Sequence, residues 1–405
     1  MLHMSSSNTS VASERMQTNN FRTDIQLLRA VAVLLVICYH SSVPHLGGGY
    51  IGVDVFFVIS GFVITNVLQH ETEEGLLQQL SYFYARRIRR LIPAASIVLI
   101  ATVVLTYFFL GPNFGIPLLS DVRFASLFSL NFHFIANGSS YFNPGVPPSL
   151  VTHFWSLAVE EQFYLVYPIL FLLLRKLFTT RIKTATVLFL LVVIISSSWW
   201  SIHISTSNAV AAYYSPFTHL WELALGALLT QLPSFTSHST VKLRSALSAI
   251  GIITILLSAI LFTGESTYPG YLAWIPCAAT ALVVVASADV ILTNRKVLKY
   301  VRPIVYVGDI SYSFYLWHFV WLMLPLQYAM TINVSTTDMS PIIRIAQVAG
   351  AFLCAALSNH FIERPIRSSA RFDNQKNLVL PLLIGCIGAT LGLTFLYGAF
   401  GGGLN

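Results

Sequence analysis

The chain has 405 residues, 55% of them hydrophobic and only 10% charged, with a mean hydropathy of +0.71. A soluble domain carries about 25% charged residues, so this composition excludes an ordinary globular enzyme and indicates an all-α polytopic membrane protein with little soluble mass. The formal charge of +7 could suit nucleic acid, but the basic residues fall in loops between apolar segments. That distribution leaves membrane lipids, and no nucleic acid, as the expected surroundings.

Residues 1–22 are rich in Ser, Thr and Asn and read as a disordered cytoplasmic tail. No apolar core or small-residue cleavage site marks them as a cleavable signal. About eleven segments then reach membrane-crossing length, near 25–42, 50–68, 94–111, 154–174, 185–203, 217–231, 244–263, 271–290, 304–326, 342–362 and 378–400. The segment near 217 is the shortest. Cys38, Cys277, Cys354 and Cys386 all lie inside such segments. They show neither metal-ligand spacing nor a disulfide framework, so no metal is expected.

Alternate loops carry the positive charge: Arg86, Arg87, Arg89 and Arg90; Arg175, Lys176, Arg181 and Lys183; Lys242 and Arg244; Arg295, Lys296, Lys299 and Arg302; Arg364, Arg367, Arg371 and Lys376. The intervening loops carry almost none, Arg123 and Arg344 being the exceptions. The positive-inside rule places the basic loops and the N-terminus in the cytoplasm, and an odd span count then delivers the C-terminus outside.

The first segment holds Arg29 and His40, eleven residues apart. At about 100° and 1.5 Å per residue they share one helical face, about 16 Å apart along the axis. Two ionisable groups on one face of a membrane helix are costly and suggest a polar path. The glycine-rich turn at Gly47-Gly48-Gly49 then leads Asp54 into the second span. The hairpin makes His40 its natural partner, and a carboxylate on one ring nitrogen would raise the basicity of the other, as a general base requires.

Before the third span, Arg86-Arg87-Ile88-Arg89-Arg90 is denser than a topology anchor needs. Arg87 and Arg90 share a face, and guanidinium forks suit phosphate. Residues 112–153 form a long outer loop with an apolar stretch around Phe124–Phe134, read as an interfacial or re-entrant helix covering the outer mouth. The fourth span opens with Trp155, Ser156, Glu160, Glu161 and Tyr164. Adjacent acids cannot share a face, so at least one of the two glutamates points into the bundle. The ninth span places His318 too deep for an interfacial belt. Nucleophile elbow, zinc spacing, phosphate loop and internal repeat are all missing from the sequence.

Taken in order, these motifs resemble the acyltransferase-3 membrane proteins over roughly residues 21–370. The resemblance rests on Arg29 with His40; on Gly52-Val53-Asp54, Phe56-Phe57 and Ser60-Gly61-Phe62; and on Arg86–Arg90 before Pro93. It continues through Phe154-Trp155-Ser156-Leu157, Glu160–Tyr164, Trp221-Glu222-Leu223 with Gly226, Ser311–His318 and Glu363-Arg364-Pro365. It implies a ten-helix acyltransferase bundle plus one extra C-terminal helix in a bacterial cytoplasmic (inner) membrane. Acetyl-CoA, or another acyl-CoA, would be the cytoplasmic donor, engaged by Arg29, Arg86, Arg87, Arg89 and Arg90.

His40 would be the essential catalytic residue, with Asp54, Glu160 and Glu161 beside it in the catalytic set. Trp155, Ser156, Tyr164, Glu222 and His318 would line the acceptor side or cavity. The acceptor would be a periplasmic carbohydrate hydroxyl, on lipopolysaccharide O-antigen or an exopolysaccharide. The alternative is a non-enzymatic polysaccharide or acyl-group transporter.

Two departures stand out. His219 occupies the place where relatives often have Arg ahead of Trp-Glu-Leu. Residues 371–405 read as an eleventh span with a periplasmic end, after a membrane domain at 23–370. In two-domain relatives such a span leads to an SGNH-type domain; the alternatives here are that this domain is lost, that it lies beyond the given residues, or that a separate protein supplies it.

Overall fold

The computed structural model describes residues 22–70, 75–139, 141, 148–232, 240–286, 295–332, 334, 340–369 and 378–401. Residues 1–21 of the expected N-terminal tail and the charged stretch 371–377 lie outside them.

Every described element is helical. In chain order they are α1 (Thr23–His40), α2 (Gly52–His70), α3 (Leu76–Phe109), α4 (Gly111–Ser126), α5 (Leu130–Ala136), α6 (Phe154–Leu177), α7 (Ile182–Ser207) and α8 (Ala209–Tyr214). There follow α9 (Pro216–Leu229), α10 (Val241–Leu261), α11 (Trp274–Ala286), α12 (Arg295–Asp309), α13 (Ser311–Thr331), α14 (Pro341–Ser358), α15 (Arg364–Arg367) and α16 (Val379–Gly401). A π-helical turn, Asn359–Glu363, joins α14 to α15. Among the described residues, eight stretches are long and apolar enough to cross a membrane: α1, α2 with its leading turn, α3, α6, α7, α10, α14 with α15, and α16. The protein is a polytopic membrane protein.

Several helices depart from the sequence expectation. The segment near 304–326 is not one span: the chain breaks at Ile310, between α12 and α13. The third span begins much earlier than 94. It is the second half of the 34-residue α3, about 51 Å long at 1.5 Å per residue, and it carries the arginine cluster on its first half. The 14-residue α9 is about 21 Å long, less than a hydrocarbon core. It is buried in protein, packed on α2 and α7. Ser215 caps it by accepting from the Phe217 amide at 3.2 Å, with Pro216 at the first helical position. The outer loop at 112–153 supplies two helices, α4 and α5.

The centre of the bundle is α1 with α2, and α9 lies against α2. That contact is backbone on backbone. A side chain at Gly61 would collide with the Leu223 carbonyl, and one at Gly226 with the Val58 carbonyl. The C-terminal α16 packs outside, on α3 and α4. Arg123 donates to Thr394 Oγ1 at 3.1 Å and lies over the Phe395 ring, and the Tyr397 hydroxyl donates to the Gly111 carbonyl at 3.0 Å.

Candidate active site

A chamber of 520 Å³ opens between α1, α2, α3, α6, the α12–α13 break and the π turn. Six arginines line it: Arg22 and Arg29 from the α1 end, Arg87 and Arg90 from α3, and Arg364 and Arg367 from α15. Two carboxylates, Glu160 and Asp309, face them. Arg22 is neutralised locally, forked onto Asp24 at 3.0 and 2.5 Å. Arg29, Arg87, Arg90, Arg364 and Arg367 have no carboxylate within ion-pair distance among the described residues. Arg87 lies over the Phe83 and Tyr164 rings instead. Glu160 accepts from the Ser60 hydroxyl, which ties α2 to α6, and from the Tyr164 hydroxyl one turn further along α6. Unpaired guanidiniums in a low-dielectric recess attract a polyanion, and their geometry suits phosphate oxygens.

The arginine cluster divides by helical position. Arg87 and Arg90, three apart, face the chamber, while Arg86 and Arg89 rotate off it. Arg86 stacks on Tyr82 with its guanidinium carbon 4.2 Å from the ring centre. Arg89 is buried, with Nε donating to the Ala85 carbonyl at 3.3 Å. Neither lines the chamber. Arg22, Arg364 and Arg367 enter it from distant segments. Glu161 lies beside the chamber wall, within electrostatic reach of Arg87 and Arg90. Ser156 and Tyr164, expected on the acceptor side or in the cavity, line this chamber.

The far wall is a hydrogen-bonded pair, Ser156 Oγ and Tyr315 Oη, 2.7 Å apart. The Tyr315 hydroxyl donates to the His153 carbonyl at 3.1 Å. Beyond the wall stand three imidazoles, with His318 ring centres 5.5 Å from His153 and 5.1 Å from His40. The hydrogen bonds fix their tautomers. His318 Nδ1 faces the Tyr315 carbonyl at 2.6 Å, which only accepts, so this nitrogen carries the proton. His318 Nε2 therefore presents its lone pair to His40 Nδ1 at 3.0 Å, and His40 Nδ1 is the donor. That leaves the lone pair of His40 on Nε2, 2.6 Å from the Tyr141 hydroxyl. His40 is held as a base aimed away from the chamber, with the Tyr141 phenol donating to it.

The expected Asp54–His40 pair does not form. Asp54 starts α2 on the face that packs on α9, where it shares a fully buried cluster with Glu222 and Cys277. One ligand-type atom from each lies within 4.8 Å of the others, an oxygen–oxygen–sulfur donor set. His219 takes part through Nδ1, 2.7 Å from a Glu222 oxygen. Its Nε2 donates to the Tyr213 carbonyl at 3.0 Å, so one proton must lie between His219 Nδ1 and Glu222. Here a histidine and a shared proton stand where the resemblance led one to expect a permanent guanidinium charge. Trp155 separates this cluster from the histidine end, with its ring centre 5.5 Å from His219 and 4.7 Å from Tyr213.

Tyr141 and His153 escaped the sequence reading. Tyr141 sits among prolines and glycines of a loop with no periodic pattern, and only its length signalled function. His153 directly precedes the Phe154-Trp155 motif at the N-cap of α6, one residue before the periodic helix begins.

Residues 22–360 match the family model for an acyltransferase domain. The chain is 32% identical over 352 residues to the peptidoglycan O-acetyltransferase OatA of Listeria monocytogenes, covering 84% of this chain and 55% of that protein. It is 34% identical over 357 residues to a putative peptidoglycan O-acetyltransferase, YrhL, of Bacillus subtilis, covering 84% and 54%. It is 31% identical over 363 residues to the O-acetyltransferase OatA of Staphylococcus aureus, covering 87% and 58%. The chain thus spans little more than half the length of these relatives. No solved structure matches it significantly.

Proposed function

The chain belongs to the acyltransferase family of membrane O-acyltransferases, and from that premise we propose that it transfers an acetyl group from acetyl-CoA to a hydroxyl of cell-wall peptidoglycan. Family membership favours acyl transfer over the transporter alternative. Two of the relatives carry peptidoglycan in their names, and none of the three is named for lipopolysaccharide or exopolysaccharide. The acceptor expected from sequence is revised accordingly.

The observation that carries the donor assignment is the set of five guanidiniums around one chamber that have no carboxylate within ion-pair distance among the described residues. A coenzyme A thioester brings several phosphate charges, and a phosphate–guanidinium fork is the strong pairing for them. With its phosphates held there, its acetyl group extends between Ser156 and Tyr315 toward His40. The acceptor hydroxyl approaches His40 Nε2, where the Tyr141 phenol now sits. His40 takes the hydroxyl proton as the oxygen attacks the thioester carbonyl; the C–O bond forms, the C–S bond breaks, and coenzyme A leaves as the thiol. His318, through its tautomer, keeps Nε2 free to do this.

In this reading the chamber opens to the cytoplasm and the histidine end faces outward, across the bacterial cytoplasmic membrane, with eleven spans and the C-terminus outside. An SGNH-type domain or protein outside the membrane would receive or place the acetyl group. The test uses the purified chain in nanodiscs with acetyl-labelled acetyl-CoA and soluble peptidoglycan fragments. Acetylated fragments detected by mass spectrometry support the proposal. The joint absence of transfer, thioester cleavage and acetyl-CoA binding, with or without an SGNH-type partner, would overturn it.

A further inference from the structure

Arg344 breaks the charge pattern of its loop, and the active site does not use it. The other exception, Arg123, is satisfied by Thr394 and Phe395. Arg344 lines an open groove of 930 Å³ between α1, α12, α13 and α14. Its Nη1 donates to the carbonyls of Ser41 and Ser42 at 3.0 and 3.2 Å. Nε and Nη2 make no hydrogen bond, and no carboxylate pairs with the guanidinium, among the described residues.

The groove has a polarity. At one end lie Ser41, Ser42, Ser340 and Arg344, with the first turn of α14, whose amides add positive potential. From there the walls are apolar: Leu34 and Ile37 of α1, Phe314 of α13, and Val348 and Phe352 of α14. A cationic head above an apolar trough complements one kind of molecule, an amphiphile with an anionic head and hydrocarbon tails. In a membrane-spanning chain the tails need not leave the bilayer to enter it.

We infer that this groove binds one anionic diacyl phospholipid, its phosphate on Arg344 and an acyl chain along α1 and α14. The site is coupled to the chemistry through α1. Arg344 clamps the turn that ends α1, a turn in which Ser42 adopts φ of +53°, and His40 is the last residue of that helix. A phosphate completing the coordination of Arg344 steadies the helix end that presents His40.

Native mass spectrometry of the purified chain, exchanged into detergent with either phosphatidylglycerol or phosphatidylcholine, tests this without substrate. Its outcome is therefore separate from that of the acetyl-transfer assay. The wild type should retain one phosphatidylglycerol per chain and several-fold less phosphatidylcholine. Arg344→Gln should lose the preference for the anionic head. Ala349→Trp, on the exposed groove face of α14, should lose retention of either lipid while keeping the wild-type elution volume. If Arg344→Gln does not fold, the groove-filling variant and the choice of headgroup still decide. Equal retention of both lipids by the wild type, unchanged retention in Ala349→Trp, or a dimer that replaces bound lipid would each overturn the inference.

Discussion

The two ends of the polar interior are built on opposite principles. In the chamber, five guanidiniums face open space with no carboxylate within ion-pair distance among the described residues. At the histidine end, the nitrogens of His40 and His318 are all hydrogen-bonded to neutral groups. An array of unpaired cations is built to receive charge. A closed chain of neutral donors and acceptors is built to fix a tautomer and move one proton. The Ser156–Tyr315 pair, a single layer thick, divides the two. Changes at one end should therefore move donor affinity, and changes at the other should move the rate.

The largest effect is expected from His40→Ala. Removing a general base costs about 10²–10⁴ in rate, and donor binding should stay near wild type. Labelled acetyl transfer together with acetyl-CoA calorimetry checks both, and a rate within a few-fold of wild type would end the assignment. Next comes His318→Leu, which frees His40 to take the other tautomer. Loss of a group that orients a functional imidazole typically costs roughly ten- to a hundredfold, seen here in kcat and in a displaced pH–rate profile. Asp54→Asn, away from His40, should leave the shape of that profile unchanged. A shift with Asp54→Asn but not with His318→Leu would restore the carboxylate as the orienting group.

At the chamber end, Arg87→Lys with Arg90→Lys keeps both charges and removes the forks. Donor affinity should fall about tenfold per lost fork, about 1.4 kcal/mol each, with kcat under saturating donor preserved. A loss confined to kcat would contradict the division between the two ends. The smallest effect belongs to Arg86→Gln, a surface change of about 0.5 kcal/mol or less. Donor affinity within about twofold of wild type is expected. A loss as large as that of the double lysine variant would show that the whole cluster, not one face of α3, engages the donor.

How much of this was legible in the sequence differs residue by residue. The membrane class, the importance of the span carrying Arg29 and His40, and the shared face of Arg87 and Arg90 follow from composition and from the 3.6-residue repeat, because both act locally along one helix. Arg364 and Arg367 were legible only as topology charges. They reach the chamber because the π turn at Asn359–Glu363 sets the course of the chain there, with Glu363 accepting from Ser313 and, at 3.0 Å, from Asn359. Periodicity carries no signal for such a bulge.

The partner of Asp54 was misread for a related reason. A hairpin brings two helix ends together but does not say which way the first turn of the second helix faces. The glycine contact between α2 and α9 decides that, and it turns Asp54 toward Glu222. The sequence by itself determined that this chain lives in a membrane and where its ionisable residues sit along each helix, since hydropathy and helical rise are properties of contiguous residues. Only the tertiary structure decided which of those residues meet. Partners for His40 arrive from 101 and 278 residues away, and such contacts are fixed by how closely backbones can approach, which no single segment encodes.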